Sequence, residues 1–153
     1  MAVSDDPAAR AAAAIGQDGL LASPLSLAGV AATVAEGRWR APRLLPGHGS
    51  PAGVPLVAGV LRDLRNLTRQ AVTEGTAEAL ASVPGEVRGK TGTAEYGRGD
   101  PPPTHARVIG YRGDLALAVL VEEGRSGGGI AAPIAARFLR SLSDTVGSGA
   151  TPG

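Results

Sequence analysis

Residues 86–96 read EVRGKTGTAEY, from Glu86 to Tyr96, and this stretch decides the fold. It holds Lys90, the only lysine in the chain; every other strong base is an arginine. Thr, Tyr and Val favour extended backbone, so the run is predicted to be a strand. Side chains alternate along a strand with a period of two. Thr91, Thr93 and Glu95 then share one face, and Lys90, Gly92 and Ala94 the other. A glycine weakens a strand unless something must approach the backbone closely, which makes Gly92 a candidate resting place for a ligand. An ammonium beside two hydroxyls suits a carboxylate or another anion. The same residues also fit an edge strand whose lysine discourages edge pairing. A phosphate-binding loop does not fit: its first glycine would fall at Pro84, and Gly92-Thr93-Ala94 is a poor first helical turn.

Downstream, Gly97 to Pro103 is a polar loop with three consecutive prolines. Thr104 to Tyr111 is a second predicted strand. Arg112-Gly113-Asp114 is a hairpin turn, and Leu115 to Val121 a third strand. That third strand is apolar throughout, the pattern of a strand covered on both faces. Glu122 to Gly129 is expected to be a flexible loop. Ile130 to Leu142 is a predicted helix, with Ile134, Phe138 and Leu142 at four-residue spacing laid along the sheet. Residues 143–153 are expected to be a disordered tail.

Upstream, Pro84-Gly85 turns the chain into the strand. Val57, Val60, Leu61, Leu64, Leu67, Ala71 and Val72 repeat at helical spacing, with Arg62, Asp63, Arg65, Arg69 and Gln70 between them. A helix to about Thr73 is expected, then a break at Glu74-Gly75-Thr76 and a short helix over Ala77 to Ala81. Arg38 to Pro55 is a proline-rich connector containing His48, read as an exposed loop histidine. Ser23-Pro24 starts a helix, serine as cap and proline in the first turn. Gly37 stops that helix after Glu36. Its sequence has almost no polar face, so burial on nearly every side is expected. Ile15 to Leu21 is a loop, and residues 1–14 a flexible or helical arm.

The whole is 153 residues, enough for one domain with a core. The chain has one Trp, two Tyr and one Phe, so that core must be built from Ala, Val, Leu and Ile. A net charge of +1 argues against nucleic acid as a partner. With no cysteine there is neither a disulfide nor a thiolate site. His48 and His105 have no partner ligands at metal-binding spacing, and no metal or other cofactor is expected. No apolar run reaches the length of a membrane span. The first residues lack the pattern of a signal peptide. The expected class is α+β, three antiparallel strands with packed helices.

With Lys90-Thr91-Gly92-Thr93-Ala94-Glu95 on a strand ahead of a hairpin, the chain resembles the C-terminal part of a penicillin-binding protein transpeptidase domain. The KTGTAE form is most like the monofunctional class B group. The resemblance extends beyond that motif. It includes Ala14-Ile15-Gly16-Gln17 with Ser23-Pro24-Leu25, Val72-Thr73-Glu74-Gly75-Thr76-Ala77, His105 to Tyr111, Leu115 to Val121, and Ala131-Ala132-Pro133-Ile134-Ala135. Residues 15–142 would form a partial domain of this kind.

That resemblance implies a D,D-transpeptidase. In the family a serine attacks the D-Ala-D-Ala carbonyl of a peptidoglycan stem peptide, and an amine from a neighbouring stem resolves the acyl-enzyme into a cross-link. Beta-lactams acylate the same serine. By the same resemblance, Lys90 would support the hydrogen-bond network and positive potential of the site. Thr91 and Thr93 would receive the carboxylate of substrate or drug, Gly92 would leave room for the substrate backbone, and the Thr93 N–H would be half of an oxyanion hole. The parent protein would work at the extracytoplasmic face of a bacterial membrane.

Two family motifs have no place in this sequence. No serine is followed three residues later by lysine, and no S-x-N occurs. Nucleophilic catalysis needs nucleophile and activator together. The chain alone is therefore expected to be inactive: a piece of a larger enzyme, one half of a split protein, or a truncated product. A non-catalytic structural or interaction module is the alternative. Arg107-Val108 stands where the family often has Trp-Phe; Arg107 is read as solvent-facing, with a place on the pocket rim as the other reading. The Leu115–Val121 strand would be an open apolar edge. It is expected to pair with the absent N-terminal part of the domain or with a second copy.

Overall fold

The computed structural model describes residues 6–16, 21–43, 45 and 52–147. Its centre is a three-stranded antiparallel sheet of β3 (Arg88–Glu95), β4 (Thr104–Arg112) and β5 (Leu115–Val121), in the order β3-β4-β5. The register sets Lys90 opposite Ile109, Thr91 opposite Val108 and Gly92 opposite Arg107. Gly113, at φ +54°, makes the turn between β4 and β5. A left-handed backbone of this kind suits glycine, which has no Cβ to clash.

Helix α1 (Pro7–Ala14) begins at Asp6, whose side chain accepts from the Ala8 N–H. Helix α2 (Pro24–Glu36) is capped by Ser23, whose hydroxyl accepts from the Ser26 N–H at 3.1 Å, and it ends at Gly37 in the left-handed region. Two short strands, β1 (Arg38–Trp39) and β2 (Val54–Pro55), pair antiparallel within the expected connector. Helix α3 (Ala58–Thr73) ends where the sequence predicts, and a 3₁₀ turn over Glu78–Ser82 follows. A π-helical turn, Gly127–Ala131, leads into α4 (Ala132–Gly147).

The sheet is covered on both faces. On one, Ala31, Val34 and Tyr111 pack with Leu61, Leu64, Ile109 and Ala116, which seats α2 and α3 against the strands. The other face carries the larger core, where Val72, Leu80, Val87, Val108 and Leu139 are almost fully enclosed. Truncating a side chain such as Leu139 to alanine would cost about 2–5 kcal/mol. The apolar run of β5 is explained by contact with both α2 and α4.

Four expectations are corrected. Helix α2 is not buried on nearly every side: Leu25 is 54% and Val30 49% exposed, because only one flank meets the sheet and α3. The sheet-facing stripe of α4 is Ala132, Ala135, Ala136 and Leu139, while Phe138 is 47% exposed. Alanines let the helix axis approach closely, so the large residues at four-residue spacing do not mark the buried face. The loop expected through Gly129 is already π-helical from Gly127. Helix α4 continues through the first part of the expected tail to Gly147. The remainder of that tail, and His48, lie outside the described residues.

Candidate functional site

Strand β3 is held at its start by arginines. Arg69 donates to the Val87 carbonyl at 2.8 Å, and Arg88 donates both to the Arg65 carbonyl and to Glu86. Arg65 in turn donates to the carbonyls of Val34 at 3.0 Å and Ala35 at 2.5 Å, near the C-terminus of α2. A cation there meets the negative end of the helix dipole. These bonds tie α2, α3 and β3 into one frame, so the residues after Arg88 emerge in a fixed place.

Along β3 burial alternates from Gly89 to Thr91, and Thr93, two residues on from Thr91, departs from it. Gly89 and Thr91 are buried, whereas Lys90 and Thr93 are exposed. The Lys90 ammonium donates to its neighbour's carbonyl, Thr91 O, at 2.7 Å. The Thr91 hydroxyl is hydrogen-bonded to that of Thr76, in the turn after α3. The Thr93 hydroxyl accepts a long bond from the Gly127 N–H, at 3.4 Å. The π-helical turn thus lies directly on β3: a Cβ at Gly127 would come within 2.6 Å of the Gly92 oxygen and 2.9 Å of its nitrogen.

A cleft of about 190 Å³ is lined by Ile15, Gly16, Ala22, Leu27, Lys90, Thr91, Gly92, Thr93, Arg107 and Ile109. All four residues singled out in the sequence, Lys90 to Thr93, therefore come together at one site. Arg107 joins them, which corrects its reading as a solvent-facing side chain: cross-strand from Gly92, it is half-buried at the rim. Among the described residues, no carboxylate lines the cleft and no ion pair of Lys90 or Arg107 occurs. Two cations, hydroxyls and a close-approach glycine are the groups that suit an anion.

A second, apolar groove of about 670 Å³ opens between α2 and α3, with Val30, Val34, Leu64 and Leu67 along it and Lys90 and Ile109 at the sheet side. Val30 and Leu67 are 49% and 60% exposed, so this side of the molecule presents apolar surface next to the site.

Beyond β3, Tyr96 stacks on His105 with ring centroids 4.0 Å apart. Desolvation pushes the Tyr96 hydroxyl above its ordinary pKa, and the negative charges of Glu123 and Glu122 add to the effect. The stack gives His105 a place in supporting the strand and its loop. No cluster of three metal-ligating side chains occurs among the described residues. Two residues that touch the site escaped the sequence reading, Thr76 and Gly127. Both belong to turns far from β3 in the chain, and only the Gly-rich run at 127–129 hinted at a close approach.

The chain matches the family described as "Penicillin binding protein transpeptidase domain" over residues 5–140. It is 36% identical to the peptidoglycan D,D-transpeptidase PbpA of Mycolicibacterium smegmatis, across 84% of this chain and 31% of that protein. The chain thus spans about a third of the length of the curated relatives it matches. Among solved structures it is similar to a ceftriaxone acyl-enzyme complex of penicillin-binding protein A from Mycobacterium tuberculosis, with a TM-score of 0.72 and 30% identity, across 92% of this chain and 36% of that one. A complex of penicillin-binding protein PBP2 with MreC from Helicobacter pylori shares the fold at a TM-score of 0.74 and 23% identity, across 88% of this chain and 27% of that one.

Proposed function

The chain belongs to the penicillin-binding protein transpeptidase family, and from that premise we propose that it is the C-terminal portion of a class B-like D,D-transpeptidase that cross-links peptidoglycan stem peptides. It supplies the anion-binding strand of the site and not the nucleophile. The observation that carries this reading is the cleft in which Lys90, Thr91, Gly92, Thr93 and Arg107 meet, with no carboxylate among its described lining residues.

In the complete domain the C-terminal carboxylate of a D-Ala-D-Ala stem peptide lies against the hydroxyls of Thr91 and Thr93. The Lys90 ammonium adds positive potential, and Arg107 a second positive charge at the rim. Gly92 leaves room for the substrate backbone. A serine from the remainder of the domain attacks the penultimate carbonyl, and the Thr93 N–H stabilises the oxyanion that develops. The C–N bond breaks, D-Ala leaves with a proton, and an acyl-enzyme remains. An amine of a second stem then attacks the ester, forming the cross-link and returning the serine. Beta-lactams, whose carboxylate resembles the stem terminus, occupy the same cleft.

Two features support an incomplete domain as the context. Strand β5 ends the sheet among the described residues, with Leu120 37% exposed. The groove between α2 and α3 is apolar beside a charged site. The N-terminal remainder of the domain, or a second copy through the β5 edge, covers this surface. No described helix is long and apolar enough to cross a membrane. The parent protein acts at the extracytoplasmic face, where its substrate lies.

The test is a titration of the chain with N-acetyl-D-Ala-D-Ala and with its C-terminal amide, followed through backbone amide resonances. The acid is expected to shift Lys90 to Thr93 and the amide to leave them in place. Equal shifts with both ligands, or none with the acid, would remove the carboxylate-binding role.

A further inference from the structure

We propose that Thr76 is a positioning residue of the site, holding the Thr91 hydroxyl so that its proton is offered to the ligand carboxylate. The inference rests on the carboxylate-binding reading above and adds to it the group that makes Thr91 a donor.

The geometry begins with the turn after α3. The Ala77 N–H donates to the Ala71 carbonyl at 2.8 Å, and Gly75 lies so near α3 that a Cβ there would be 2.9 Å from the Ala71 Cα. On its other side the Thr76 carbonyl is met by Gly128, where a Cβ would come within 2.5 Å of that oxygen. The Thr76 backbone is thus confined between α3 and the π-helical turn. From this fixed place its hydroxyl reaches the hydroxyl of Thr91, and Thr91 is only 8% exposed.

A hydroxyl has one proton to give and can accept two. A carboxylate only accepts. For Thr91 to bond a carboxylate, its single proton must point to the ligand, so the Thr76–Thr91 bond must run with Thr76 as donor. A bound carboxylate thus selects, of the two directions open to the pair, the one in which Thr76 donates. Donation from Thr76 also polarises the Thr91 O–H, which strengthens the bond it gives in turn. The Gly127 N–H acts similarly on the neighbouring hydroxyl of Thr93. Without the Thr76 hydroxyl, Thr91 gives its proton to the carboxylate with no donor behind it.

Thr76→Val keeps the branched shape and removes the hydroxyl, whereas Thr76→Ser keeps the hydroxyl and removes a methyl. Each is titrated with N-acetyl-D-Ala-D-Ala and its C-terminal amide, and each is checked for the unchanged amide spectrum of the remaining sheet. The Thr76→Val chain is expected to lose roughly tenfold in affinity for the acid, the scale of one hydrogen bond to a charged group, and nothing for the amide. The Thr76→Ser chain is expected to bind the acid as the unsubstituted chain does. Should valine disturb the turn, Thr76→Ala provides the same comparison. Undiminished preference for the acid in both hydroxyl-free variants overturns the positioning role, as does an equal loss for acid and amide. If the unsubstituted chain does not prefer the acid, the underlying carboxylate reading fails, and the inference fails with it.

Discussion

Gly127 lies on Gly92 so closely that a methyl at 127 would stand 2.6 Å from the Gly92 carbonyl oxygen. The Gly92 nitrogen and the Arg107 carbonyl would crowd it as well, at 2.9 and 2.5 Å. All three are backbone atoms of paired strands, which cannot swing aside as a side chain can. Gly127→Ala is expected to destabilise the chain by about 1–3 kcal/mol, the range for overpacking, and to displace the π-helical turn from Thr93. Urea unfolding measures the first effect, and the Thr93 amide resonance reports the second. Gly29 gives the contrast, since nothing lies within 4 Å of a Cβ there and the residue is inside α2. Gly29→Ala is expected to stabilise by about 0.5–1 kcal/mol.

Arg107 is expected to contribute to anion binding from the rim. Arg107→Gln retains hydrogen-bonding groups and loses the charge. Its affinity for N-acetyl-D-Ala-D-Ala is expected to fall about 2–5-fold, a modest effect because the guanidinium is partly hydrated. The difference should shrink as salt is added, because ions screen the remaining attraction. An affinity unchanged at low salt would return Arg107 to the solvent-facing role.

The hydroxyl of Tyr111 is buried and has no hydrogen-bond partner among the described residues. An unpaired buried hydroxyl carries a desolvation cost that its removal relieves. Tyr111→Phe is expected to leave the unfolding midpoint unchanged or raise it. A loss of more than about 1 kcal/mol would mean that the hydroxyl has a partner.

Much of this architecture was legible in the sequence, for local reasons. Ser23-Pro24 and Gly37 bracket α2 because caps are set by the residues beside them. Gly113 marked the hairpin, and alternation along Lys90 to Glu95 placed Lys90 and Thr91 on opposite faces. Long-range packing was not legible. Nothing in Ala132, Ala135 and Ala136 announces that they, and not Phe138, meet the sheet. The Thr76–Thr91 bond joins β3 to the turn after α3, which the sequence marks only as a helix break. Arg107 was misread because a lone arginine on a strand is compatible with solvent until its cross-strand neighbour proves to be Gly92. Leu25 and Val30 stay exposed because only one flank of α2 meets the sheet and α3, which the composition of the helix alone does not reveal.

The β5 edge gives a further expectation. An unpaired apolar edge offers its backbone groups to another strand. The chain alone is expected to associate with rising concentration in sedimentation velocity, and Leu120→Lys to weaken that association. A strictly monomeric chain at high concentration would contradict the exposed-edge account.

The central claim is that this chain carries the anion-binding strand and lacks the nucleophile. Intact mass after incubation with a fluorescent penicillin tests it most directly, on the chain alone and together with the polypeptide encoded upstream. The account predicts no covalent adduct on the chain alone, and an adduct on an upstream serine when both are present. A stoichiometric adduct on one serine or threonine of this chain alone would contradict it.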